Sequence, residues 1–85
     1  MLVNVVNAQY IDNFIIELDL KINENNTIRA VQKKVNLYQY LQTKKDTGIF
    51  APLKDIQYFK SFKLNANTIE WENGADIAPE RFLEM

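Results

Sequence analysis

The residues best spaced to do chemistry are two pairs of carboxylates. Glu70 and Glu72 stand two apart in a segment that reads as a strand, so both side chains leave the same face. Neighbouring carboxylates can hold a cation or divide into an acid and a base. Glu17 and Asp19 repeat the spacing. Neither pair offers the roughly six to eight oxygens that a hard cation takes. Both pairs alternate with apolar residues, which is the pattern of a solvated strand face. The rest of the catalytic repertoire is absent: there is no His and no Cys, and Ser61 is the only serine. That removes disulfides, thiol and imidazole catalysis and nearly all zinc chemistry. Two glycines cannot build a phosphate-cradling loop. No catalytic residue, no cofactor and no metal site is expected.

Charge is distributed unevenly. Between residues 25 and 45 the chain carries Arg29, Lys33, Lys34, Lys44 and Lys45 and no acid, while residues 1–24 and 46–85 are each net −3. Basic residues beside Tyr38 and Tyr40 could touch phosphates and stack bases. Arg29, Lys33 and Lys34 are therefore the candidate phosphate contacts. Against this stand the overall charge of −1, the acidic flanks, and the use of lysine to guard exposed strands against edge pairing.

These residues need elements to position them. Phe14, Ile16, Leu18, Leu20 and Ile22 alternate with polar or less buried partners, giving a strand with one apolar face. Glu24-Asn25-Asn26 forms a turn, and the β-branched run Thr27–Val35 returns as a second strand. Ile28 and Ala30 share one parity, Val31 and Val35 the other, so a β-bulge is expected in that strand. Leu2–Asn7 is a further strand with Val3 and Val5 on one face. Asn36 offers an N-cap to a short helix in which Leu37, Tyr38 and Leu41 share a face. Thr43–Gly48 is a polar loop. Pro52 opens another helix, with Leu53, Ile56 and Phe59 at spacing three. Phe62–Ala66 and Thr68–Glu72 make a second hairpin around Asn65-Ala66-Asn67. Asn73-Gly74 is a turn, and Pro79 starts a last short helix with Glu80 in its first turn.

The order is strand-strand-strand-helix-helix-strand-strand-helix in one domain of 85 residues. It predicts an α+β fold: a mostly antiparallel sheet of about five strands with short helices on one face. No segment reads as a signal peptide or reaches the ~20 apolar residues of a membrane span. Among the aromatics Tyr38, Tyr40, Tyr58, Phe59, Phe62, Trp71 and Phe82, most belong in the core; any surplus at the surface would mark a partner-binding patch. Trp71 is expected to be buried beside Ile69. Gly74 is expected at positive φ, and Asp76 is expected to accept a backbone N–H near Ala78.

The string Ile69-Glu70-Trp71-Glu72-Asn73-Gly74-Ala75-Asp76-Ile77-Ala78-Pro79-Glu80 resembles the ending of the bacterial family called domain of unknown function 2442. That family closes on a Trp, a polar residue, Asn-Gly-Ala-Asp, a Pro-acid pair and a short apolar tail. Trp71, Asn73, Gly74, Ala75, Asp76, Pro79 and Glu80 match it. Lys33–Leu41 is similar to the family's strand leading into a short helix, and Phe50, Leu53 and Phe59 fit its next segment. Two departures stand out: Glu24-Asn25-Asn26-Thr27 replaces a short Gly turn and points to a longer hairpin, and Glu80-Arg81-Phe82-Leu83 replaces a tail in which a Leu-Tyr pair is common. The resemblance implies a small cytoplasmic bacterial protein, encoded beside another small protein, in an accessory or toxin–antitoxin-like role. The resulting expectation is a non-enzymatic protein-interaction module, with Trp71, Asn73, Gly74, Asp76, Pro79 and Glu80 as the candidate motif. Its partner is expected to be a protein, a second copy included. A nucleic-acid-contacting accessory domain using residues 25–45 is the alternative, and an enzyme using Glu70, Glu72 or Asp76 is the third reading.

Overall fold

A computed structural model describes residues 1–44 and 48–85; Lys45 and the centre of the 43–48 loop lie outside the described residues. Three antiparallel strands, β1 (Leu2–Asp12), β2 (Ile15–Glu24) and β3 (Thr27–Asn36), form one sheet in the order β1-β2-β3. The alternation in β2 sets its faces as expected. Ile16, Leu18, Leu20 and Ile22 are at most 2% exposed, while Glu17, Asp19, Lys21 and Asn23 point to the other side.

The first strand runs five residues beyond the expected Leu2–Asn7. The cause is a register shift between Val5 and Asn7, where Val6 is the extra residue. An extra residue exchanges the two faces, so Val3 and Val5 point inward before it and Ala8 and Tyr10 after it. Broken alternation in the sequence therefore hides one continuous strand. The bulge expected in the third strand is not there: β2 and β3 pair without interruption from Ile15↔Asn36 to Glu24↔Thr27. Instead Ile28 and Ala30 remain on the solvent face, Ile28 at 68% exposure.

Three two-residue hairpin turns, Asn13-Phe14, Asn25-Asn26 and Ala66-Asn67, place both central residues at positive φ, between 47° and 69°. That is the I′ geometry whose twist matches antiparallel strands. The β2–β3 connection is thus a two-residue turn, and the hairpin it closes is long, ten residues in each strand. Asn tolerates this backbone region; Phe14 and Ala66 occupy it at the cost of a left-handed Cβ.

The second half lies against the apolar face of the sheet. After β3 come α1 (Tyr38–Gln42), a 3-10 turn Ala51–Lys54, α2 (Ile56–Phe59), the hairpin β4 (Lys63–Asn65) and β5 (Thr68–Glu70), and a 3-10 helix Pro79–Glu84. The α+β class, the antiparallel strands and the short helices are all present, with the five strands shared between a three-stranded and a two-stranded sheet. Asn36 acts next to the helix start: its Oδ1 accepts the Tyr38 N–H at 2.9 Å, while Leu37 occupies the cap position. Leu37 and Leu41 are buried, but Tyr38 turns outward at 47% exposure. The single helix expected after Pro52 is split at Asp55, whose extended ψ of 119° ends the 3-10 turn and whose carboxylate accepts the Gln57 N–H to start α2. Leu53 and Phe59 are buried and Ile56 packs against the core. Backbone bonds from Val5 N to Asn67 O (2.9 Å) and from Leu37 N to Phe14 O (2.8 Å) tie the halves into one continuous cluster of buried side chains.

Candidate functional site

The segment 68–80 is a small folded unit. Trp71 is 1% exposed, its indole N–H donates to Phe59 O at 2.9 Å, and its ring meets Phe59 and Phe62 at 5.8 and 6.2 Å. Gly74 N donates to Trp71 O and Trp71 N donates to Ala75 O, which closes a three-residue hairpin loop on a left-handed residue, Gly74 at φ +89°. The chain then returns beside β5 through a bridge between Glu70 and Asp76. The buried Thr68 hydroxyl donates to Ile77 O across the same gap.

The loop's polar anchor is Asn73, not Asp76. Asn73 Oδ1 accepts the Ala75 N–H at 3.1 Å, its Nδ2 donates to Ile49 O at 2.8 Å, and its backbone N–H donates to the Tyr58 hydroxyl at 3.0 Å. Asp76 accepts no side-chain hydrogen bond among the described residues and is exposed. The bridge to Glu70 sets Asp76 in extended backbone, where its carboxylate makes no bond to the Ala78 N–H. Pro79 opens the last helix, and Ala78 before it is extended at ψ 135°, as proline demands of its predecessor. Glu80 sits exposed in that helix's first turn. Trp71, Asn73 and Gly74 are thus committed to holding the loop and Pro79 to opening the helix, leaving Asp76 and Glu80 as exposed members of the motif whose side chains make no hydrogen bond among the described residues.

Glu70 and Glu72 border an open cleft of about 420 Å³ with Lys63 and Asn65. Glu70 accepts from Asn65 Nδ2 at 2.9 Å and stands across the hairpin from Lys63. Glu17 and Asp19 accept from the Gln32 side-chain amide at 3.4 and 3.2 Å on the solvent face of the sheet. Among the described residues no group of three or more His, Cys, Asp or Glu could hold a metal ion.

The candidate phosphate contacts do not form one surface. Residues directly opposite in a ladder share a face. Arg29 pairs with Ile22 and Lys33 with Leu18, on the core side, whereas Lys34 pairs with Glu17 on the solvent side. Lys33 is further withdrawn, because its Nζ donates to Leu83 O at the end of the last helix, 3.1 Å away.

What the sequence reading missed is the edge that these residues border. β3 pairs only with β2. Antiparallel ladders alternate between hydrogen-bonded and non-bonded pairs, and a two-residue hairpin makes the pair flanking its turn a bonded one. Counting from Glu24↔Thr27, the main-chain groups of Ile28, Ala30, Gln32 and Lys34 face away from β2. The signal was the shared parity of Ile28 and Ala30, which indicated an uncovered face and not a bulge. No family model, no curated protein and no solved structure matches the chain.

Proposed function

We propose that this chain is a non-enzymatic protein-interaction module, acting in the bacterial cytoplasm as an accessory or antitoxin-like partner of another protein. The observation that carries the reading is the open edge of β3, ten residues long with outward N–H and C=O groups and an exposed isoleucine. Edge strands in folded proteins are usually short, bulged or covered. A long straight one offers the main-chain half of a strand-addition interface. The lack of His and Cys and the resemblance of residues 69–80 to domain of unknown function 2442 support the same reading.

The test is affinity capture from the native cell with the wild-type chain, Ala30→Pro and Asp76→Asn. Proline at residue 30 removes an outward N–H and leaves the β2 ladder intact. A partner kept by Asp76→Asn and lost by Ala30→Pro is the expected result. A partner lost only with Asp76→Asn would move the interface to residues 73–80. Absence of any captured partner for all three forms would defeat the module reading.

A further inference from the structure

Resting on that reading, we infer that the partner supplies an extended acidic segment, which adds antiparallel to β3 as a fourth strand. The strand carries Arg29, Lys33 and Lys34 and no acid. Among the described residues the Arg29 and Lys34 side chains make no ion pair or hydrogen bond, so both are available to an incoming strand. Glu17, the carboxylate directly across from Lys34, accepts from Gln32 instead. Opposite charges facing each other across a ladder are favourable and like charges are not. This argues against a second copy: a two-fold pairing of β3 with itself centred near Val31 sets Arg29 against Lys33 or Lys34.

The register fixes what the added strand must carry. Residues opposite Lys34 and Arg29 lie five apart and on opposite faces, and both should be acidic. The residue opposite Val31 lies on the core side, where a half-buried valine calls for an apolar partner. The residue opposite Ile28 meets an isoleucine that is 68% exposed and gains by being covered with another β-branched side chain. In antiparallel order, from the residue facing Lys34 to the one facing Ile28, Asp-Glu-Thr-Val-Thr-Glu-Val meets each requirement.

The test titrates that peptide, capped at both ends, into the isotope-labelled chain, beside a Gln version and a Lys version of its three acids. Amide shifts and exchange protection are read at Ile28, Ala30, Gln32 and Lys34. The expected result is protection of these four amides by the acidic peptide. The Gln version should bind roughly tenfold more weakly, from the summed cross-strand pairs, and the Lys version should not bind. Ala30→Pro should weaken the acidic peptide by about tenfold, the worth of one hydrogen bond. Arg29→Glu combined with Lys34→Glu touches only exposed side chains and should exchange the preference, admitting the Lys version and rejecting the acidic one.

Equal binding of all three peptides at β3 would overturn the acidic partner and leave the edge-docking module standing. Protection of none of the four amides would overturn it too; the module reading then stands or falls separately, on whether captured partners respond to Ala30→Pro. Self-association of the wild type that Ala30→Pro abolishes would replace the acidic segment with a second copy. Binding of a ten-nucleotide oligothymidylate that displaces the peptide and ignores Ala30→Pro would replace it with a polyanion.

Discussion

At the scale of single residues, two neighbours in the 71–76 loop have opposite roles despite similar chemistry. Asn73 satisfies the Ala75 N–H and the Ile49 carbonyl, which are separated by more than twenty residues of chain, whereas the Asp76 carboxylate faces solvent. Asn73→Ala should therefore lower stability by about 1–2 kcal/mol, the usual worth of a bridging polar side chain, while Asp76→Ala should stay within about 0.5 kcal/mol. Chemical denaturation of both variants checks the pair, and an equal loss in the two would refute the assignment. Trp71 is the other residue with a decisive position. It is enclosed by Phe59 and Phe62 and uses its one donor on a backbone carbonyl. Trp71→Ala should cost about 3–5 kcal/mol; a loss below about 1 kcal/mol with native circular dichroism would place the ring at the surface. Phe14 shows how packing can hold an unfavourable backbone. A left-handed phenylalanine at φ +66° is strained by about 1–2 kcal/mol. Its ring lies 4.9 Å from Phe59 and 5.8 Å from Tyr38, and its carbonyl receives the Leu37 N–H, so the turn is clamped from three directions.

At the scale of elements, what could be read in advance depended on whether one period ran unbroken. The face of β2 was legible because Ile16 to Ile22 keep strict alternation and are all buried. The length of β1 was not, because the shift at Val6 changes parity midway and makes a continuous strand look like a short one. In β3 broken parity has a different origin: the ladder is regular and Ile28 and Ala30 are simply uncovered. Loop chemistry was more legible than loop partners. Asn73-Gly74 announced a turn with a left-handed glycine, but nothing local told which side chain would bond Ile49, which comes from a distant part of the chain. The split of the five strands between two sheets was likewise invisible, since it depends on how the second hairpin docks and not on its own pattern. Gly74 gives a direct test at this scale. Beyond its two chain neighbours, no residue places a heavy atom within 4 Å of the place a Cβ would occupy, so substitution meets no tertiary clash and the φ of +89° is what resists it. Gly74→Ala should cost about 1 kcal/mol and Gly74→Asn less, because Asn visits the left-handed region more readily. If alanine destabilised as much as a buried truncation, about 3 kcal/mol, steric crowding and not backbone conformation would be the cause.

At the scale of the whole molecule, the shape is elongated, 41 by 22 by 20 Å, and the core is unevenly spread along it. One end gathers Tyr10, Phe14, Phe59 and Trp71 in successive ring contacts. At the other end the β2–β3 hairpin tip, from Glu24 to Ala30, is exposed at every residue. Stability in such a molecule is graded, because an amide opens easily where little apolar surface must be exposed with it. The described chain has no disulfide, and its one described ion pair, Arg81 with Glu84 at 3.7 Å, joins two exposed side chains that contribute little. Burial of the shared core therefore supplies most of the resistance to unfolding. Native-state hydrogen exchange should find the slowest amides in Ile16, Leu18 and Leu20, which bond across to their neighbours beneath buried side chains. Exchange should quicken toward Asn25 and Asn26, and the outward amides of Ile28, Ala30, Gln32 and Lys34 should exchange at rates near those of free peptide. The inward amides of Arg29 and Val31, in the same strand, should be slower. Uniform protection along β3 in the isolated chain would mean that its outer edge is already occupied, and the alternation between neighbouring residues is what distinguishes an open edge from a frayed strand.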